Sequence, residues 1–173
     1  MYNPLTILGG DIMEIKGIIH EDFVNYKVCS MTIAMPYCTF KCDKECGIDV
    51  CQNSKLAKEP TIDIPAAKII EQYLHNPLSH AIVFQGLEPF DSYNDLYYFI
   101  YALRFVFKND DPVIIYTGYN KDEILSKIDD LRKFSNIIIK FGRYIPNQKP
   151  HYDEILGVNL ASDNQYAEII TEP

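Results

Sequence analysis

The chain has 173 residues, 47% of them hydrophobic and 23% charged, with a formal net charge of −8. That length suits one domain with a full core, and the composition is that of an ordinary globular protein. With 16 Lys and Arg against 24 Asp and Glu, the clustered cations of a phosphate-binding surface are lacking, which excludes a nucleic-acid partner.

The chain starts "MYNPLTILGGDIMEIKG", without the basic start and long apolar core of a secretory signal, and no later apolar run reaches membrane-spanning length. A cytoplasmic location and no membrane partner are expected. In a reducing compartment, clustered cysteines serve as metal or redox ligands rather than disulfides. "LGGDIM" reads like a translated ribosome-binding stretch ahead of a start codon. The functional chain is expected to begin at Met13, residues 1–12 being a non-native extension or a short disordered arm and 13–173 a single domain.

Residues 27–35, "KVCSMTIAM", read as a strand, with Cys29 inside it as a buried core thiol. Residues 64–75 carry Ala66, Ile69, Ile70, Tyr73 and Leu74 at helical spacing. "HAIVFQG" (80–86), "PVIIYTG" (112–118) and "NIIIKFG" (136–142) are short continuous apolar runs, as expected of strands buried on both faces. Between them lie helices over 92–107, capped by Ser92 with Asp95, and over 120–134, capped by Asn120 with Glu123. Residues 154–161 form a weaker strand. The aromatics of 97–105 are expected to pack, and the four histidines are scattered without ligand spacing.

Strands of this kind alternating with helices predict an α/β fold with a mainly parallel sheet. A closed eight-stranded barrel takes about 250 residues. This chain has enough for about five or six mainly parallel strands, which predicts an open partial (βα) barrel. Right-handed crossovers put the loops after the strands on one edge, where ligands bind.

One of those loops, "CTFKCDKECGIDVCQN" (38–53), places Cys38, Cys42, Cys46 and Cys51 within fourteen positions. Structural zinc usually uses two separated CxxC-type knuckles, and no second knuckle is present. Iron–sulfur clusters also take thiolates in tight loops, and three cysteines leave one iron open to substrate.

The loop resembles the radical S-adenosylmethionine superfamily, and within it the activating proteins of anaerobic ribonucleotide reductase. The superfamily's CxxxCxxC begins with Cys38 and Cys42. Cys51, preceded by Val50 and followed two places on by Asn53, resembles the third ligand of the activases. "DKECGIDV" is then an insertion, and Cys46 is the alternative third ligand.

Further segments agree in order and spacing. "QGLEPFDS" resembles the GGEP motif that holds the cofactor's ammonium, with Gly86 and Glu88 in place and Gln85 replacing the first glycine. "IYTGYNKDEI", with Thr117, is similar to the activases' Trp-Thr-Gly-Tyr strand end. "KFGRY" stands for their Asp-Gly-Arg-Phe, Phe141 replacing the aspartate. "LASDNQYAEII", with Ser162 and Asn164, resembles their terminal Ser-Ser-Asn-Gln segment.

The resemblance implies a 4Fe-4S cluster on Cys38, Cys42 and Cys51. It implies an S-adenosylmethionine site with Asn53, Gly86, Glu88, Thr117, Ser162 and Asn164. The implied activity is reductive cleavage to a 5′-deoxyadenosyl radical. The implied partners are a glycyl-radical enzyme, anaerobic ribonucleoside-triphosphate reductase first, and a flavodoxin or ferredoxin as electron donor. Tyr119, Lys121 and Arg143 are within reach but expected to be solvated. The rival is a non-catalytic iron–sulfur or zinc-binding regulatory module.

Overall fold

A computed structural model describes residues 12–173. The expected N-terminal extension lies outside the described residues, except for Ile12, which opens strand β1 (Ile12–Ile15). Then come β2 (Gly17–Asp22), β3 (Ser30–Met35), α1 (Lys41–Cys46), α2 (Ser54–Lys58), β4 (Ile62–Pro65) and α3 (Ala66–Leu74). They are followed by β5 (Ile82–Gly86), α4 (Tyr93–Tyr101), β6 (Val113–Tyr116), α5 (Leu125–Leu131) and β7 (Ile137–Phe141). The chain ends in β8 (His151–Asp153), β9 (Val158–Leu160) and β10 (Tyr166–Thr171).

Six strands form one sheet in the order β10-β7-β6-β5-β3-β2. β3, β5, β6 and β7 run parallel, while β2 and β10 pair antiparallel at the two edges. The sheet is therefore mostly parallel, as expected, and it does not close into a barrel.

Each central strand splits its side chains by alternation. Ile33, Phe84, Ile115 and Ile139 face one way and pack with Ile69, Phe99 and Leu131 of the helices. Val83, Ile114 and Ile138 face the other way, with Tyr26, Leu156 and Leu160. Burial on both sides explains the unbroken apolar runs, at roughly 1.5–3 kcal/mol per large aliphatic or aromatic side chain. At the sheet's far edge, buried Arg104 donates to the carbonyls of Ser135, Asn109 and Asp111 at 2.9–3.0 Å, fixing the strand entrances.

Several local expectations are corrected. Ser92 makes no capping bond, because a 3-10 turn over Pro89–Ser92 precedes α4 and Glu88 caps that turn by accepting from Phe90 N. The helix after Tyr101 relaxes into a π turn over Ala102–Val106. Glu123 does accept the Asn120 N–H, at 2.8 Å, as expected. Of the strand expected over 154–161, only Val158–Leu160 forms one, as β9, and residues 154–157 are the turn leading into it. Cys29 is only partly buried, its sulfur 3.8 Å from the Ser79 hydroxyl, because β3 begins one residue later.

Candidate functional site

The parallel strands end level with one another: Met35 pairs with Gly86, and Tyr116 with Lys140. The loops after them surround a cavity of about 310 Å³. That volume lies at the lower end of small-molecule sites.

The cysteine loop explains how an insertion can still serve this cavity. α1 is a short helix ended by Gly47 in the left-handed region (φ +69°), whose N–H returns to the Asp43 carbonyl. The Asp43 carboxylate then accepts the N–H groups of Val50 and Cys51, both at 2.8 Å. One side chain inside the insertion thus folds its far end back. Cys38, Cys42 and Cys51 line the cavity, while Cys46, at the end of α1, does not.

Each of those three sulfurs also accepts a backbone N–H. Phe40 donates to Cys38 at 3.2 Å, Tyr144 to Cys42, and Asn53 to Cys51. Hydrogen bonds to sulfur orient a thiolate and tune the potential of an iron–sulfur centre. Burial pushes the Cys38 thiol up to about 12 and raises Cys42 and Cys51 as well. These are thiols at neutral pH, so metal loading must release protons.

Among the described residues no three His, Cys, Asp or Glu side chains could share a single metal ion. A mononuclear zinc site gathers its thiolates at ~2.3 Å from one ion. A cluster differs, since each thiolate takes its own iron. Three thiols around one cavity, each with an N–H at sulfur, fit that donor set.

Beside the thiols sits Glu88, 7% exposed. Its carboxylate accepts from Phe90 N at 3.0 Å, Thr117 Oγ1 at 2.7 Å and Gly118 N at 2.9 Å. All three donors are neutral, and burial raises its pKa to about 7. Gly86 is required just before it: its φ is +90°, and a Cβ there would meet Ala34 Cα at 3.1 Å. The Gly86 carbonyl accepts from the Asn53 side chain.

Charged and polar groups lock the loops together. Asp91 accepts from Thr39 N at 2.8 Å and from the Tyr119 hydroxyl at 2.6 Å. Arg143 pairs with Glu123 at 2.7 Å and with Glu45 at 3.2 Å, and Lys41 reaches the same Glu123 oxygen at 3.2 Å. Arg143 is 5% exposed, which corrects the expectation of a solvated side chain. Lys121 instead pairs with Glu168 on β10, at 2.6 Å.

Of the residues expected in the ligand site, Asn53, Gly86, Glu88 and Thr117 line the cavity. Ser162 and Asn164 do not. Ser162 is fully buried, its hydroxyl 3.4 Å from Ile145 N, and the Asn164 amide donates to the Arg143 carbonyl at 2.8 Å. From the same segment Gln165 reaches the cavity wall. Sequence reasoning passed over Lys140, which also lines the cavity at 7% exposure. Its signal was a lysine in an otherwise wholly apolar strand, since lysines are seldom buried without a partner.

No helix among the described residues is long and apolar enough to cross a membrane. No curated protein and no solved structure gave a match in comparison with the chain. A family model described as a 4Fe-4S single cluster domain matches residues 24–165, a span that takes in the cysteine loop, the parallel strands and the Gln165 wall. The thiols gathered at the sheet edge thus have their counterpart in sequence, and the chain belongs to the 4Fe-4S single cluster domain family as a cluster-binding iron–sulfur protein.

Proposed function

We propose that this iron–sulfur protein reductively cleaves S-adenosylmethionine and passes the resulting radical to a glycine of a partner enzyme. The observation that carries the reading is Glu88. It is a buried carboxylate on the wall of the cavity that holds the three thiols, and it has no ion-pair partner among the described residues. A buried anion with only neutral donors suits a ligand cation, and the ammonium of S-adenosylmethionine is one.

Cys38, Cys42 and Cys51 would hold the cluster, with Asp43 fixing the third of them. When bound, the cluster supplies one electron and an open iron, so that the sulfonium's carbon–sulfur bond breaks to methionine and a 5′-deoxyadenosyl radical. Glu88 holds the ammonium; Thr117 and Gly118 hold Glu88. Tyr116 and Gln165 wall the cavity on the face away from the helices.

The sheet's winding supports the same reading. β3, β5, β6 and β7 follow one another without a reversal, and the large helix-borne residues pack on one face. Such winding is compatible with an open (βα) barrel whose ligand cavity lies at the strand ends. A primary carbon radical attacks almost any nearby C–H bond, so a barrel open on one side needs a partner to close it. A glycine-bearing loop of a glycyl-radical enzyme fits, and anaerobic ribonucleoside-triphosphate reductase is the first choice on the resemblance of "YTGY", "FGRY" and "SDNQ". A flavodoxin or ferredoxin would supply the electron.

The test is electron paramagnetic resonance after anaerobic mixing of reduced, cluster-loaded protein, S-adenosylmethionine and the reductase of the same genome. A glycyl doublet on the reductase is expected. Consumption of S-adenosylmethionine without a doublet would remove the proposed partner.

A further inference from the structure

The cavity holds a second buried charge that the proposed function leaves unused. Lys140 lies near the end of β7 on the same face as Ile138, and its ammonium makes one hydrogen bond, to the Gly142 carbonyl at 3.0 Å. An ammonium has three donors. Among the described residues Lys140 forms no ion pair; the Tyr116 ring centroid lies 5.9 Å from Nζ, at the outer limit of a cation–π contact, which is too weak to replace an anion.

Glu88 shares that cavity, is as deeply buried, and also forms no ion pair among the described residues, so the two opposite charges act on one another only at a distance. Keeping both charges buried and apart is costly unless something bearing both complements lies between them. The amino-acid end of a ligand carries an ammonium and a carboxylate on one carbon.

We propose that Lys140 receives the carboxylate of the ligand's amino-acid end while Glu88 receives its ammonium. The assignment rests on reading the cavity as the S-adenosylmethionine site. Burial lowers the Lys140 pKa to about 8, which leaves it mostly charged at pH 7. The competing role is structural: Lys140 also fixes the Gly142 carbonyl, next to a backbone at φ +99°. A structural role would affect every ligand alike, whereas a carboxylate contact affects only ligands that have one.

The experiment is therefore a double cycle. Wild-type protein and Lys140→Met, both reconstituted anaerobically and matched in iron content, are titrated by calorimetry with S-adenosylmethionine and with its decarboxylated form. Lys140→Met should weaken S-adenosylmethionine by about tenfold to a hundredfold, the range of a charge-assisted hydrogen bond, and change the decarboxylated form by less than about twofold. If Lys140→Met does not load iron, Lys140→Gln enters the same comparison. Equal weakening of both ligands, or of neither, overturns the assignment while leaving the site intact. Binding of neither ligand by the wild type overturns the reading of the cavity, and the assignment with it.

Discussion

The Thr117 hydroxyl donates to the Glu88 carboxylate at 2.7 Å, so the loops after β5 and β6 meet on a single buried charge. Three neutral donors steady that charge, yet burial outweighs them and the pKa rises to about 7. Near neutral pH the protonated and ionised forms are therefore both populated while no ligand is bound.

A stability prediction follows from the sign of that shift. The folded pKa lies above the ordinary carboxylate value of 4.5, so Glu88's favourable contribution is complete below about pH 4.5 and lost as pH rises through about 7. The loss is about 3 kcal/mol at most. Urea unfolding of iron-free wild type and Glu88→Gln, from pH 5 to pH 7.5, checks this. The wild type should lose ground against the variant as pH rises; a difference independent of pH would contradict it.

Ligand binding should show the opposite acid dependence. An ammonium needs Glu88 ionised, and a carboxylate needs Lys140 charged, so affinity for S-adenosylmethionine should peak between about pH 7 and about pH 8. Each limb should fall by about tenfold per pH unit well beyond its pKa. Asp91 acts on Glu88, Glu88 on Cys38 and Lys140, and Cys42 on Lys140, so the limbs belong to the group as a whole. Calorimetric dissociation constants across pH 5.5–9 give the profile. Glu88→Gln should flatten the acid limb, and Lys140→Met the alkaline one.

How much of this could be read from the residues depended on burial. "HAIVFQG", "PVIIYTG" and "NIIIKFG" announce β5, β6 and β7 because a strand covered on both faces has no polar alternation to hide it. The edge strands were missed for the same reason: β2 ("GIIHED") and β10 ("YAEIIT") mix exposed and buried positions and pair on one side only. Ser92 looked like a helix cap, but spacing cannot show that the turn before it already has a cap in Glu88. Glu88 itself was legible from its motif. Asp43 was not, since its role is to gather N–H groups seven and eight residues away in the fold.

The loop geometry makes a prediction about ligands. Cys51→Ala should abolish a cluster with one open iron, while Cys46→Ala should leave iron content and spectrum largely intact. Asp43→Ala should lower cluster occupancy through loss of the two N–H contacts, and Asp43→Asn, which keeps an acceptor oxygen, should recover most of it. Iron and sulfide analysis with electron paramagnetic resonance of the reduced proteins decides. The reverse pattern for the two cysteines would mean that the helix α1, not the Asp43 turn, presents the third ligand.

Gly86→Ala tests how closely the β5 loop is fitted. At φ +90° a side chain is strained, and the new methyl would lie 3.0 Å from Leu56 Cδ2 and 3.1 Å from both Ala34 Cα and Ala34 Cβ. Leu56 can move; the Ala34 backbone on β3 cannot. A loss of about 1–3 kcal/mol in unfolding free energy is expected. Weaker cluster retention should accompany it, because the Gly86 carbonyl accepts from Asn53, two residues past Cys51. Denaturant midpoints unchanged from wild type would show the loop to be loosely held.

The central claim is that the thiols and Glu88 serve one reaction, and product analysis tests it most directly. Protein reconstituted anaerobically to a full cluster, reduced and incubated with S-adenosylmethionine, should release 5′-deoxyadenosine and methionine in equal amounts, and Cys51→Ala should release neither. Intact S-adenosylmethionine beside a fully loaded, reduced cluster would contradict the account.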